Sequence, residues 1–211
     1  MRGVGKATLL ALGLCAAPSW ADEVVIAALG DSLTQGYGLP ADQGFVPQLQ
    51  VWLLAQGHEV RLINAGVSGD TTAGGLARIG WTLTEDVQAL IVTLGGNDLL
   101  RGLPPEAARA NLAGILTVAA DSGVELLLVG MHAPLNYGPD YQQAFDAIYP
   151  DLAAEHGTLY ADSFLAPIMA VPDRRALMQA DGIHPNADGV ALIVEALGPE
   201  VEALIARVQR P

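Results

Sequence analysis

Five continuous apolar runs of strand length, separated by segments with helical spacing of apolar residues, most constrain how this chain can fold. The runs are Val24–Leu29, Val60–Asn64, Ala89–Leu94, Glu125–Met131 and Thr158–Tyr160. Because they do not alternate in polarity, we predict the strands of a parallel sheet that is buried on both faces. The segments with helical spacing are Phe45–Gln56, Thr72–Thr82, Pro105–Ser122 and Tyr141–Glu155.

The alternation of strands and helices predicts the architecture. Asn186 is predicted to cap a last helix that ends near Val208. Right-handed crossovers between parallel strands place helices on both faces of the sheet. We therefore predict the α/β class, as a three-layer α/β/α sandwich around a mainly parallel five-stranded sheet. The chain has 211 residues and contains no repeat, linker or low-complexity segment, so residues 22–211 are expected to form one domain.

The first residues have the pattern of a cleavable signal peptide. Arg2 and Lys6 form a positive region, and the apolar stretch Ala7–Ala17 leads to small residues that end at Ala21. That stretch is shorter than the roughly 20 apolar residues that span a bilayer. We predict that residues 1–21 are removed and that the protein is periplasmic or secreted, with no stable membrane anchor. The alternative is a buried N-terminal helix.

The composition of the remaining chain excludes several classes of function. Beyond Ala21 it carries 8 arginines against 23 carboxylates, a net charge of −15, and it has neither lysine nor cysteine. Such an acidic chain offers little to neutralise nucleic-acid phosphates or to dock on anionic lipid. Without cysteine there is no disulfide, no thiol nucleophile and no thiolate metal site.

A candidate nucleophile follows the first predicted strand. Ser32 stands in Gly30-Asp31-Ser32-Leu33, at a junction between a strand and a helix. A serine hydroxyl is a weak nucleophile until a base removes its proton, and this position would expose the hydroxyl at the sheet edge. The alternative is that Ser32 only caps the helix.

A candidate base lies near the other end of the chain. Asp181-Gly182-Ile183-His184-Pro185-Asn186 places an aspartate three residues before a histidine. His184 would take the Ser32 proton, while Asp181 would accept the other ring N–H and fix the tautomer. Taken alone, the segment also fits a surface turn before a capped helix.

Two glycine-containing turns are candidates for an oxyanion hole. They are Ser68-Gly69-Asp70 and Gly95-Gly96-Asn97-Asp98. The candidate donors are the Ser32 and Gly69 N–H groups and the Asn97 side-chain amide. Each follows a predicted strand, and ligands of open α/β sheets bind at the carboxyl ends of the strands. Simple turns after strands are the alternative.

Neither a metal nor a cofactor is expected. Asp31, Asp70 and Asp98 lack a His or Glu at ligand spacing, and aspartates in short turns usually bond nearby backbone N–H groups. There is no Gly-x-Gly-x-x-Gly and no phosphate loop. His132, after the fourth predicted strand, is a candidate for substrate contact or for a structural role.

Together the four motifs resemble those of the SGNH hydrolases, also called GDSL esterases and lipases. The matching positions are Ser32, Gly69, Asn97 and His184 with Asp181, in blocks that span residues 25–190. The resemblance implies the flavodoxin-like SGNH hydrolase fold, a catalytic Ser32, Asp181 and His184, an oxyanion hole of Ser32, Gly69 and Asn97, and no cofactor.

Within that family the chain is most similar to the group of thioesterase I, protease I or lysophospholipase L1, and to the related arylesterases. The supporting segments are Gly69–Thr72, Leu76–Arg78, Pro134–Gly138 and Phe145–Pro150. The resemblance implies hydrolysis of short- to medium-chain acyl esters, acyl thioesters and, in some members, lysophospholipids. Leu99 stands where many relatives have glycine, and His132 where some have arginine.

The substrate is expected in a groove between the loops Leu99–Pro104 and His132–Asp140. The residues expected to contact it are Leu99, Leu103, His132, Leu135 and Tyr137. We expect a monomer that acts on a small-molecule acyl ester or thioester. Two alternatives stay open. One is a carbohydrate acetylesterase, which would need more exposed aromatic residues, and the other is an acyl- or peptide-binding module without activity.

Overall fold

A five-stranded parallel sheet forms the centre of the computed structural model, which describes residues 23–210. The strands are β1 (Val24–Gly30), β2 (Val60–Gly66), β3 (Ala89–Thr93), β4 (Glu125–Val129) and β5 (Leu159–Ala161). Their order across the sheet is β2-β1-β3-β4-β5, and every neighbouring pair is parallel. The predicted signal peptide, residues 1–21, lies outside the described residues.

Helices cover both faces of this sheet. The α-helices within residues 23–210 are α1 (Ser32–Gln35), α2 (Phe45–Ala55), α3 (Thr72–Thr82), α4 (Gly96–Leu100), α5 (Pro105–Asp121), α6 (Pro139–Asp146), α7 (Ile148–His156), α8 (Ala166–Met169) and α9 (Ala187–Val208). Helices α2 and α9 pack together on one face, and α3, α5 and α7 pack on the other. Two 3-10 helices span Leu135–Tyr137 and Arg174–Leu177. The predicted three-layer fold class is confirmed.

Burial explains why the strands have continuous apolar sequences. Every residue of β1 and β3 is buried, because both faces of these central strands are covered. The edge strand β2 is mixed, and it exposes Arg61 and Asn64. Gln50 of α2 protects this edge: its amide donates to the Val60 carbonyl at 2.7 Å and accepts from the Leu62 N–H at 2.7 Å. The exposed strand edge is thereby partly closed to further pairing.

The helix predicted over Tyr141–Glu155 is instead two helices, α6 and α7, that meet at Ala147. The cause is Pro150, in the first turn of α7. Proline has no N–H to bond the carbonyl four residues earlier, and its ring crowds that carbonyl. The carbonyl concerned belongs to Asp146, the last residue of α6, so the helix breaks there.

The last helix begins where the sequence predicts. The Asn186 side chain accepts a hydrogen bond from the Gly189 N–H at 3.0 Å and caps α9. Farther along, Gly198 lies against the Trp52 ring of α2, and a Cβ at Gly198 would come within 2.5 Å of that ring. The Trp52 indole N–H donates to Glu195 at 3.0 Å. The absence of a side chain at Gly198 therefore lets α2 and α9 approach closely.

We predict opposite effects for the same substitution in two helices. Gly80→Ala in α3 adds a methyl group where nothing lies within 4 Å, so better helix propensity should raise the free energy of unfolding by up to about 1 kcal/mol. Gly198→Ala should lower it by about 1 kcal/mol, because overlap with Trp52 outweighs that gain. Urea unfolding measures both, and equal stabilisation by the two variants would contradict this packing.

Candidate active site

The carboxyl ends of three neighbouring strands are aligned. Gly30 at the end of β1 is in register with Gly66 on one side and with Thr93 on the other. The chain leaves β1 toward β2 and later returns to form β3, so the crevice between β1 and β3 is a topological switch point, where open α/β sheets bind ligands. The segments that carry Ser32, Gly69 and Asn97 all begin at this edge.

Ser32 is the first residue of α1, and its hydroxyl faces the histidine that the sequence predicts as its base. Ser32 Oγ lies 2.8 Å from His184 Nε2. The cap of α1 is Asp31, whose carboxylate accepts from the Leu33 N–H at 3.0 Å. Because Asp31 caps the helix, the Ser32 hydroxyl is free for a reaction.

Asp181 holds the far side of the His184 ring. Its carboxylate lies 2.7 Å from His184 Nδ1 and also accepts from the N–H groups of Ile183 at 2.9 Å and His184 at 3.1 Å. The hydrogen bond with the His184 ring, followed by the two backbone bonds, lowers the pKa of Asp181 to about 2. The ionised carboxylate favours a proton on Nδ1, which leaves Nε2 to accept the Ser32 proton.

Two residues that the sequence analysis missed support His184. The Tyr37 ring packs on the His184 ring, with 4.7 Å between their centroids. The Gln179 amide donates to the carbonyls of Tyr37 at 2.8 Å and Pro185 at 2.9 Å, and its backbone N–H donates to the His184 carbonyl at 2.8 Å. Gln179 therefore ties the histidine segment to the loop after α1. A glutamine outside any motif gives no sign of this role in the sequence.

Asn97 is positioned by a buried carboxylate. Its side-chain amide, in the first turn of α4, donates to Asp31 at 3.1 Å. Gly95 enters α4 with φ of +118°, and a Cβ there would overlap the Tyr149 hydroxyl, which bonds the Leu94 carbonyl at 2.9 Å. The turn thus requires glycine at position 95.

The three candidate oxyanion donors have free N–H groups. Among residues 23–210, neither the Ser32 N–H nor the Gly69 N–H has a hydrogen-bond acceptor, and the Asn97 amide uses one of its two N–H bonds. Gly69 has φ of +81°, and Arg101 donates to its carbonyl at 2.7 Å. Preorganised donors of this kind stabilise a developing oxyanion.

One guanidinium fixes the turn that carries Gly69 against the sheet. Arg78 of α3 donates to Asp70 at 2.7 Å, to the Ala65 carbonyl at 2.7 Å and to the Gly30 carbonyl at 2.8 Å. It therefore joins the ends of β1 and β2 to the loop that carries Gly69.

The aspartates in these turns accept local hydrogen bonds. Asp98 is buried and accepts from the Thr72 N–H at 2.8 Å and the Thr72 hydroxyl at 2.6 Å, while Asp70 binds Arg78 and Asp31 caps α1. Within the described part of the chain, no group of three or more His, Cys, Asp or Glu side chains is placed to hold a metal ion.

An apolar pocket of about 530 Å³ opens beside Ser32 and His184. Its wall includes Leu99 and His132, two of the residues expected to contact substrate, together with Leu100, Met131, Leu165, Met169 and Ile183. Leu165, Met169 and Ile183 lie between β5 and α9. This part of the wall therefore comes from a segment outside the two loops that were expected to form the groove. Gly69 does not line this pocket, so the pocket and the turn at Gly69 are separate parts of the site.

Three of the residues expected to contact substrate lie outside the lining of this pocket. Leu135 is exposed on its 3-10 helix, and Tyr137 packs against the Tyr141 ring with 5.0 Å between the centroids. The Leu103 carbonyl accepts from the Tyr141 hydroxyl at 2.9 Å. The loop after β4 folds onto α6, and this packing draws Leu103, Leu135 and Tyr137 away from the pocket.

His132, at the pocket wall, lies between two carboxylates. Its ring nitrogens are 3.0 Å from Asp162 and 3.4 Å from Asp146. Burial lowers the pKa of His132, but hydrogen bonds to Asp162 and Asp146 outweigh it, and the pKa is raised above its ordinary value. The histidine is therefore held in place and has its charge balanced locally.

The chain is similar to known proteins in sequence and in fold. Residues 28–192 match the model of the GDSL-like Lipase/Acylhydrolase family. The chain is 39% identical to Esterase TesA of Pseudomonas aeruginosa, over 97% of this chain and 100% of the relative. It is 36% identical to Thioesterase 1/protease 1/lysophospholipase L1 of Escherichia coli K12, over 88% and 86%. The crystal structure of AlinE4, an SGNH-hydrolase family esterase, superposes with a TM-score of 0.72 at 43% identity, over 92% of this chain and 100% of that one.

Asp31 gives a prediction about pH. Burial raises the pKa of Asp31 from 3.8 to about 6, so the folded state binds this proton more tightly than the unfolded state. Its contribution to stability is full below pH 3.8 and is lost as the pH rises through about 6. Asp31→Asn removes the charge. The free energy of unfolding of the variant relative to that of the wild type should therefore rise by up to about 3 kcal/mol between about pH 4 and about pH 8.

The kcat of Asp31→Asn for ester hydrolysis should also fall at least about tenfold, because Asn97 loses the charged acceptor that orients its amide. Urea unfolding at both pH values measures the stability difference. Asp121→Asn, at an exposed residue that ends α5, controls for the loss of one negative charge. An unchanged pH dependence of stability in Asp31→Asn would contradict the assignment.

Proposed function

The chain belongs to the GDSL-like lipase/acylhydrolase, or SGNH hydrolase, family, and we propose that it is an exported serine esterase acting through an acyl-enzyme on Ser32. The observation that carries the proposal is the hydrogen-bonded series from Ser32 through His184 to Asp181, beside an apolar pocket. A nucleophile, its base and the group that orients the base are the parts that acyl transfer requires.

In the acylation step, His184 Nε2 takes the proton of Ser32 Oγ while Oγ bonds to the carbonyl carbon of the ester. The carbonyl oxygen becomes an oxyanion, and we assign its stabilisation to the N–H groups of Ser32 and Gly69 and to the free N–H of Asn97. Asp181, whose pKa is about 2, stays ionised and stabilises the imidazolium that forms.

Acylation ends when the oxyanion re-forms the carbonyl and the bond from the carbonyl carbon to the leaving oxygen or sulfur breaks. The imidazolium gives its Nε2 proton to that departing alkoxide or thiolate, and the acyl group remains on Ser32. His184 then removes a proton from water, the resulting hydroxide attacks the acyl carbon, and the proton returns to Ser32 Oγ as the carboxylic acid leaves.

The composition of the pocket wall favours an acyl chain as the part of the substrate that is bound there. Its side chains are mainly aliphatic, and Phe, Tyr and Trp are absent from the lining. Polysaccharide recognition would need aromatic faces for sugar stacking, so the pocket favours acyl esters over carbohydrate acetates. The similarity to proteins named esterase and thioesterase/lysophospholipase extends the proposal to acyl thioesters and lysophospholipids.

We propose that residues 1–21 direct export and are removed, so that a monomer acts in the periplasm or outside the cell, without a cofactor. None of the helices within residues 23–210 is long and apolar enough to cross a membrane.

Ser32→Ala should lower kcat/KM on p-nitrophenyl esters by at least about 10⁴-fold and abolish labelling by a fluorophosphonate, because the attacking oxygen is gone. Ser122→Ala, at the exposed end of α5, is the matched control and should behave as the wild type. Ester hydrolysis rates and mass spectrometry of the labelled protein measure both effects. Labelling of the Ser32→Ala protein at another serine would overturn the assignment.

Leu100→Trp should shorten the preferred acyl chain. Leu100 lines the pocket and is 59% exposed, so a larger side chain fills the pocket without displacing the core. The ratio of kcat/KM for the laurate ester to that for acetate should fall about tenfold, the effect of a small change in pocket contact. Val51→Trp, at an exposed position of α2 outside the pocket lining, is the control. A ratio that is unchanged in Leu100→Trp would place the acyl chain elsewhere.

A further inference from the structure

A second cavity, of about 650 Å³, adjoins the apolar pocket. We call it the arginine cavity, because Arg174 and Arg175 line it together with Asp181 and Gly182. Met169 lines both cavities. Asp181 and Gly182 of the arginine cavity are followed in the sequence by Ile183 and His184, which line the apolar pocket. The catalytic loop therefore separates an apolar space from a polar one.

The two arginines differ from most others in the chain. Arg61, Arg78, Arg101, Arg109 and Arg207 each bond a carboxylate or a carbonyl. Among residues 23–210, the side chains of Arg174, Arg175 and Arg210 have no such partner. In a chain whose net charge is −15 beyond Ala21, two adjacent arginines without a partner in one cavity are a local concentration of positive charge.

The carboxylates near this cavity do not occupy the arginines. Asp181 is engaged by the His184 ring and two backbone N–H groups. Asp173 precedes the 3-10 helix, and its side chain makes no capping hydrogen bond there. The guanidinium groups of Arg174 and Arg175 are therefore available to a ligand.

The backbone that presents the arginines is fixed relative to the catalytic residues. The 3-10 helix Arg174–Leu177 is held by Asn186, whose N–H donates to the Leu177 carbonyl at 2.9 Å and whose side chain donates to the Ala176 carbonyl at 2.7 Å. Asn186 lies two residues after His184. The arginine positions are thus preorganised with respect to the base, which reduces the ordering cost of binding.

We propose that the arginine cavity is a leaving-group subsite that binds the phosphate of a phosphate-bearing acyl substrate. This inference rests on the proposed function. His184 must protonate the leaving atom, so the leaving group departs beside His184, and the segment that carries His184 also lines the arginine cavity through Asp181 and Gly182. The acyl chain occupies the apolar pocket, and the phosphate meets guanidinium groups whose planar donors match phosphate oxygens.

Two classes of substrate share this chemistry. In a lysophospholipid, a phosphodiester is joined to the ester oxygen through glycerol carbons, and in an acyl-coenzyme A the phosphates lie beyond the thiol arm. Each has a neutral counterpart with the same acyl group: monooctanoylglycerol for octanoyl lysophosphatidylglycerol, and S-octanoyl-N-acetylcysteamine for octanoyl-coenzyme A. The neutral counterparts report on the chemistry without the phosphate.

The test compares Arg174→Gln/Arg175→Gln with the wild type on these four substrates. We expect kcat/KM for at least one phosphate-bearing substrate to fall at least about tenfold, mainly through KM, while both neutral substrates stay within about twofold. Arg210→Gln is the matched control. Arg210 also lacks a partner, and it follows α9, whose 22 residues extend about 33 Å from the active site.

Each outcome decides the proposal. A loss confined to the lysophospholipid or to the coenzyme A ester supports the subsite and identifies the source of the phosphate. Equal losses on neutral substrates, an equal loss in Arg210→Gln, or no loss at all would overturn it. A wild-type protein inactive on all four substrates would instead refute the proposed esterase function, which separates the two failures.

Discussion

The alignment of three parallel strand ends is the constraint on which the candidate site depends. Gly30, Gly66 and Thr93 end their strands in register, so the three segments that follow start from one line. A slip of one residue in a parallel pair would move a segment by about 3.3 Å, more than a hydrogen bond tolerates. Arg78 spans the same alignment, because its guanidinium bonds carbonyls at the ends of both β1 and β2.

The proposed catalytic pair combines this rigid edge with a segment from the far end of the chain. Ser32 and His184 are 152 residues apart, and His184 is held both by Asp181 within its own segment and by Tyr37 from the loop after α1. Gln179 links its segment to the loop at Tyr37, and Asn186 starts α9, which packs along α2 through Gly198. The position of the proposed base, His184, therefore depends on how α2 and α9 pack together as well as on the sheet.

Sequence reasoning reached the parts of the molecule that depend on local pattern. Continuous apolar runs predicted the strands, and Asn186 was predictable as a cap because the cap is made within one turn. The break before Pro150 was available in principle, because proline acts on its own helix. The pocket wall at Leu165, Met169 and Ile183 was not, since it depends on how loops from different strands pack over the sheet. The same holds for the contacts of Tyr37 with His184 and with Gln179, which join distant parts of the chain.

The direction of the first strand and the last helix has a consequence for attachment. Strand β1 begins at the amino-terminal end of the sheet, opposite to Ser32. Helix α9 starts beside His184 and runs back to that same end. There Arg207 donates to the Gly157 carbonyl at 2.9 Å and lies 3.9 Å from Glu125, at the starts of β5 and β4. Both ends of the described chain therefore emerge from the face away from the pocket. A linker at either end would hold the protein on a solid support with its pocket turned toward the solution.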